Sequence, residues 1–278
     1  MAVHLRACAL AVVLCAALPP TSAHAQEIFL RVHPRVGDTL HTRLEQQTEI
    51  SATVPGSPGR AAKSVTTSVT LNSRTIVQAS SPASTLVLTI VASADLHTSD
   101  AHGAAQVAAA EHTLRGQQLE LRLGADGTVE SARDSRGVPL SREVVEAMSA
   151  MPAVFPRRSV SVGEQWTRDL PLPAGGPLGA KGSGHVNALF RLDSLDHAGN
   201  VAFVSLRGEI LPDAAGQGVE LSGEVTGAMQ VDRLRGWMTD SRFTVMVRSL
   251  ITPPPASGLA PMRFVTRVTQ RLRTMDKR

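Results

Sequence analysis

The chain has no tyrosine, two tryptophans and six phenylalanines, and its only cysteines are Cys8 and Cys15. Each scarcity narrows the possibilities. Proteins that grip single-stranded nucleic acid stack bases on aromatic side chains along a basic groove, so nucleic acid is a poor fit as a partner. No apolar run reaches the roughly 20 residues that a membrane-spanning helix needs. Charge of either sign is modest too: 28 Lys+Arg against 24 Asp+Glu give a formal net charge of +4. A solvated surface explains that balance without invoking a polyanionic partner.

The N-terminus has the form of a secretory signal peptide. Arg6 precedes an apolar run over residues 7–18, Pro19-Pro20 breaks it, and Ala23-His24-Ala25 forms an A-x-A cleavage site before Gln26. Cleavage after Ala25 is expected, which places the mature protein in the periplasm or outside the cell. It would also remove both cysteines, leaving no disulfide, thiol nucleophile or thiolate metal site. Residues 26–278 are enough to bury a core without cross-links.

What is abundant is alternation. Leu40, Thr42 and Leu44, then Thr48, Ile50, Ala52 and Val54, recur at spacing two opposite His41, Arg43, Glu45, Glu49 and Ser51, the pattern of half-buried strands. Pro55-Gly56-Ser57-Pro58-Gly59 ends that run. Residues 63–78 and 85–91 are predicted to form a hairpin, with Leu86-Val87-Leu88 covered on both faces. Leu119, Leu121 and Leu123 resume the alternation, and residues 124–127 reverse the chain. Residues 97–115 lack a clear period and are expected to form an exposed loop. A helix over 139–152 is predicted from the cap Ser141, the apolar stripe Val144, Val145, Met148 and Met151, and the stop at Pro152.

The second half uses the same grammar. Val186, Ala188, Phe190 and Leu192 alternate before a turn at 196–200, and residues 201–211 return as a partner strand. Residues 219–231 lead into a reversal at 233–236. The next strand puts Trp237, Phe243, Val245, Val247 and Ile251 on one face. The last sets Met262, Phe264, Thr266, Val268 and Leu272 against Arg263, Arg267, Arg271 and Arg273, a basic face suited to guarding an edge strand from aggregation.

One short pattern occurs twice. Pro34-Arg35-Val36-Gly37-Asp38-Thr39-Leu40 and Ser161-Val162-Gly163-Glu164-Gln165-Trp166 both run Val-Gly-acid, one polar residue, then a large apolar one, with their glycines 126 positions apart. The expected roles are structural. The glycine permits a turn, Asp38 or Glu164 accepts turn amides, and Leu40 or Trp166 anchors the strand in the core. The spacing suggests an internal duplication: a first β-rich repeat over 26–138, a connecting helix over 139–152 and a second repeat over 153–278. The predicted fold is mainly β, with two related, strongly curved antiparallel sheets in a half-barrel or sandwich arrangement.

No constellation carries catalysis. His97 and His102 lie near Asp95 and Asp100, with His112 further on, but their spacing matches no zinc pattern. Ser57 and Ser183 sit in glycine-rich loops that fail the nucleophile-elbow pattern. Asp193 and Asp196 are explained as turn residues, and His185 and His197 as side chains bonded to local backbone. No catalytic or metal residue is assigned, no cofactor is implied, and the ligand-binding residues are left unidentified.

Phe155-Pro156 followed by Val160-Ser161-Val162-Gly163-Glu164-Gln165-Trp166 resembles the hallmark of an uncharacterised family of exported bacterial β-rich proteins. The resemblance implies an envelope location and a β fold, and it brings no catalytic residue. The function expected is therefore non-catalytic: binding of an apolar, lipid-like ligand or an envelope component between curved sheets. A structural or protein-interaction module of the envelope is the alternative, and a hydrolase with an unrecognised site the second.

Overall fold

The computed structural model describes residues 27–53, 63–138, 140, 154–172, 184–213, 219–253 and 260–275. The predicted signal peptide and the predicted helix over 139–152 lie outside these, apart from Leu140. Eleven strands follow the alternation: β1 Thr39–Thr53, β2 Lys63–Ser80, β3 Ser84–Thr98, β4 Gln118–Gly124, β5 Val129–Asp134, β6 Gln165–Pro171, β7 Gly184–Leu195, β8 Val201–Pro212, β9 Val219–Asp232, β10 Trp237–Ile251 and β11 Met262–Met275. One helix, α1 Ala104–Leu114, interrupts them between β3 and β4.

These strands do not form two sheets. They form one antiparallel sheet of 11 strands in the order β5-β4-β3-β2-β1-β11-β10-β9-β8-β7-β6. The junction that joins the halves is β1 with β11, paired from His41↔Met275 to Thr53↔Arg263. The expectation of two sheets is corrected by this pairing, because β1 and β11 each have a free edge that a partner strand satisfies better than water does. The same pairing moves β11 from edge to centre. Its outward arginines therefore guard no edge, and two of them bond across strands, Arg271 to Asp240 at 3.2 Å and Arg273 to Glu45 at 3.3 Å.

The sheet is curled, and a short chain of hydrogen bonds shows it. Eleven flat strands would span about 48 Å from edge to edge. Yet the N–H groups of Val154 and Phe155 both donate to the Asp126 carbonyl in the β4–β5 turn, each at 3.1 Å, while Arg168 on β6 donates to the Phe155 carbonyl. Trp166 on β6 adds Nε1–H to the Val154 carbonyl at 3.0 Å. One segment thus ties both outer edges together at this end, although β5 and β6 do not pair and the sheet is not closed.

This end is also plugged. The short reversals of β2–β3, β4–β5, β7–β8 and β9–β10 gather here with the starts of β1 and β6 and the end of β11. Residues 28–32 make only one isolated bridge, Ile28 with Val160. They run extended across the sheet's end instead: Val32 N–H reaches the Ala125 carbonyl at 2.8 Å and His33 N–H the Gly236 carbonyl at 2.9 Å. Ile28, Leu30 and Val32 are buried in one core with Phe155, Val160, Trp166, Phe190, Leu192 and Met229. The Trp166 and Phe190 rings stack at 5.6 Å, 8° from parallel, as a cross-strand pair on adjacent strands.

The repeated Val-Gly-acid pattern builds the same turn twice. Gly37 and Gly163 have φ of 88° and 89°, a left-handed conformation that side chains resist. Asp38 N–H donates to the Arg35 carbonyl and Glu164 N–H to that of Ser161. The carboxylates reach back to the same residues, accepting the Arg35 amide at 3.0 Å and the Ser161 amide at 2.8 Å. Each turn then locks to the second strand of its half: Gly37 and Asp38 bracket Val77, and Gly163 and Glu164 bracket Leu192. Leu40 and Trp166 are buried, as expected of anchors.

Two further expectations change. Residues 97–115, expected as a loop, contain α1. The helix buries none of its residues; it protects the edge that β3 exposes beyond the start of β4. Glu111 accepts Leu96 N–H at 3.2 Å, Arg115 donates to the Ala94 carbonyl at 3.3 Å, and these two side chains pair with each other. An alanine-rich segment without periodicity can be helical when its polar side chains have such targets. Val87 is buried, but Leu86 and Leu88 are half-exposed on the opposite face, so β3 is covered on one face only.

Candidate functional site: the inner face of the sheet

The register assigns every strand residue to one of two faces. Trp166, Phe190, Leu206, Gly227 and Phe243 lie in line across β6 to β10 on the inner face. The line continues through Gln270 on β11, Gln46 on β1, Val69 on β2 and Leu96 on β3. Glycine makes room where the face is most crowded. A Cβ on Gly227 would strike the Phe243 ring, and one on Gly208 would lie 2.8 Å from the Asn187 carbonyl.

The two halves of this face differ. Across β6 to β10 it is the core just described. Across β1, β2, β3 and β11, Leu40, Val77, Val87 and Val91 are buried, but Leu44, Ile50, Val65, Val69, Leu71, Leu96, Val268 and Leu272 are only half-buried. Among the described residues, no strand or helix packs across them. Hydroxyls are interleaved and satisfy one another: Thr42 with Ser73 at 2.6 Å and Thr75 with Thr89 at 3.0 Å. The result is a trough of mixed aliphatic and hydroxyl surface, continuous with the packed core.

Charge is almost confined to the other face. Arg43, Glu45, Glu49, Glu220, Glu224, Arg242, Arg248, Arg263 and Arg267 point outward along the long strands, as the register requires. Such a surface cannot be the lipid-facing wall of a membrane barrel, which needs an outward apolar band. On the inner face Arg168 is half-buried and bonded to the Phe155 carbonyl, and buried Asp134 is paired with Arg136 at 3.0 Å. That pairing and the Arg136 amide hold the Asp134 carboxyl below its ordinary range.

The titratable groups singled out in the sequence do not converge. His97 pairs with Asp95 at 3.0 Å on the exposed surface, and His102 donates its backbone N–H to Asp100. Among the described residues no three metal-ligating side chains come together. Asp196 is the turn residue expected, accepting Asn200 N–H at 2.6 Å and Val201 N–H at 3.0 Å. Asp193 instead takes the Ser205 hydroxyl at 3.0 Å from the neighbouring strand. His185 pairs with the carboxylate of Asp213 at 3.1 Å rather than with local backbone, because the β7–β8 register brings the two strand ends together. Ser57 and Ser183 lie outside the described residues.

The inner face could have been found in the sequence only by adding up many weak alternations. No single motif marks it.

No known family model matches the chain, and no curated protein is significantly similar to it. Solved structures similar to it include lipovitellin, described for its lipid–protein interactions, at 9% identity over 87% of this chain and 25% of that one, with a TM-score of 0.46. The chain thus spans about a quarter of the lipovitellin chain. DynF from the dynemicin biosynthesis pathway of Micromonospora chersina matches at 11% identity over 96% and 93% of the two chains, with a TM-score of 0.22. The COG4313 outer membrane channel from Pseudomonas putida F1 matches at 10% identity over 87% and 96%, with a TM-score of 0.22.

Proposed function

We propose that the protein is an exported, non-catalytic binder of an apolar or amphipathic ligand, which it holds in the inner trough of its curled sheet. One observation supports this above others. On the inner face of β1, β2, β3 and β11, Leu44, Ile50, Val69, Leu71, Val268 and Leu272 are left half-exposed by every described element, although Leu40, Val77, Val87 and Val91 on that face are buried, while the same face of β6 to β9 is mostly buried in the core. Contiguous apolar surface left uncovered on an otherwise well-packed domain is characteristic of binding surfaces. The interleaved hydroxyls suit a ligand with some polar atoms, and the charged outer face suits an aqueous compartment such as the periplasm. The signal-peptide pattern supports export to that compartment.

Native mass spectrometry of protein purified from its own envelope tests the proposal. A lipid-sized adduct released by organic solvent is the expected result. A clean apo mass, together with no fluorescence gain from an environment-sensitive apolar dye, overturns it and leaves an interaction module of the envelope as the better reading.

A further inference from the structure

The plugged end of the sheet carries a surface that the trough does not explain. Five of the eight exposed large apolar side chains among the described residues lie there: Phe29 at 44%, Val36 at 62%, Val162 at 48%, Leu234 at 65% and Met275 at 48%. They sit on turns or at strand ends, where each could have been polar at no cost to the core. Val36 and Val162 occupy the same corner of the two repeated turns.

Arginines surround them. Arg35, Leu234, Arg235 and Met275 share the wall of one hollow of about 390 Å³, and Phe29, Arg31, Arg233 and Leu234 share that of a second of about 280 Å³. Leu234 stands between the two. The Arg31 guanidinium lies 5.8 Å from the centre of the Phe29 ring. Two of the nearby acids are engaged by the chain. Asp38 accepts the Arg35 amide, and Asp232 accepts the amides of Leu234 and Arg235 at 2.9 Å each and pairs with the Arg235 side chain. With exposed Glu27 counted beside Asp38 and Asp232, four arginines against three carboxylates still leave the surface positive, and Arg233 also donates to the Gly199 carbonyl.

We infer that this end docks on an anionic phospholipid bilayer, with Phe29, Val36, Leu234 and Met275 entering the interface and the arginines meeting lipid phosphates. Apolar tips ringed by arginine match the chemistry of a headgroup layer, where basic side chains are drawn to surface charge and their stems lie along apolar surface. A protein partner would be expected to offer carboxylates to four arginines; phosphates do the same over a surface of any shape. The inference is independent of what occupies the trough.

Co-sedimentation of the exported protein with phosphatidylglycerol/phosphatidylethanolamine vesicles tests it, with pure phosphatidylcholine vesicles as reference. Binding to the anionic vesicles that weakens at high salt is expected. Leu234→Asp and Arg35→Glu should each lower the partition coefficient about fivefold or more. Arg207→Glu, an identical charge change on the outer face of β8, should leave it within twofold. Equal binding to both vesicle types, no binding to either, or equal loss in the Arg207 variant overturns the inference. Circular dichroism of each variant separates loss of binding from loss of fold.

Discussion

The inner face of β6 to β10 and the inner face of β1, β2, β3 and β11 belong to one sheet and keep one alternation, yet the first is mostly buried and the second stays half-exposed over much of its length. The difference lies in what is laid on each. Residues 28–32 and 154–160 lie over the β6 to β10 side and complete a core in which Ala188, Phe190 and Leu192 are fully buried. No described strand or helix packs across the other side, where Leu44, Ile50, Val69, Leu71, Val268 and Leu272 stay half-exposed although Leu40, Val77 and Val87 near the plugged end are buried. Threonine, serine and glutamine alternate with the aliphatics, and paired hydroxyls need no cover from water. An antiparallel alternation therefore says which side chains share a face. It does not say whether that face will be closed.

Substitutions on the two sides should separate them sharply. Phe190→Ala removes a fully buried ring and its stack with Trp166, and should cost about 3–5 kcal/mol in urea or guanidinium unfolding. Gly227→Val drives a side chain into Phe243 and should cost about 1–3 kcal/mol through overpacking. Leu71→Ala, on the open side, should cost at most about 1 kcal/mol, because the leucine is already half-exposed. Its larger effect should be on dye or lipid binding. A Leu71→Ala cost equal to that of Phe190→Ala would erase the contrast between the two sides.

The smallest effect concerns the tie between the edges. The Asp126 carboxyl loses hydration by burial, which would raise its pKa, but the hydroxyl and N–H of Thr128 and the Arg157 guanidinium outweigh this and hold it below its ordinary 3.8. Glu164 is held below 4.5 by the Ser161 amide first and by Arg158 second. A pKa lowered in the folded state contributes stability that is present above the unfolded value and lost as pH falls through the folded one. The urea midpoint of the wild type should therefore fall as pH drops from about 5 to 3. In an Asp126→Asn/Glu164→Gln variant that fall should be shallower. Identical acid limbs would show that the two carboxylates do not hold this end.

Much of this was legible residue by residue. Val186, Ala188, Phe190 and Leu192 declare their common burial by alternation alone. The reversals at 124–127, 196–200 and 233–236 are announced by glycine and by acids that accept turn amides. The Val-Gly-acid turns could be described almost completely before any coordinate, because a positive φ and a carboxylate three residues from its target amide are local requirements. Other features were not legible. Trp237 does not share the face of Phe243 as expected, because a bulge between Met238 and Asp240 shifts the register and brings Met238 into phase with Phe243 instead, and a bulge leaves little trace in composition. α1 reads as featureless because it packs through the side chains of Glu111 and Arg115 rather than through an apolar stripe. The trough could not be named as a site because its members come from four strands, none of which marks itself as special.

The amino-acid sequence by itself determined the strands, their faces, their turns and the absence of any thiol beyond residue 15, since each of these depends on neighbours a few positions away. Only the tertiary structure decided that the two halves share one sheet through β1 and β11, and that the outer edges are tied at one end by Asp126, Phe155 and Arg168. It alone decided which half of the apolar face is the more fully buried. Those outcomes rest on pairings between residues as far apart as His41 and Met275. Backbone hydrogen bonds along a strand edge are the same for every partner, so nothing in β1 alone could name β11.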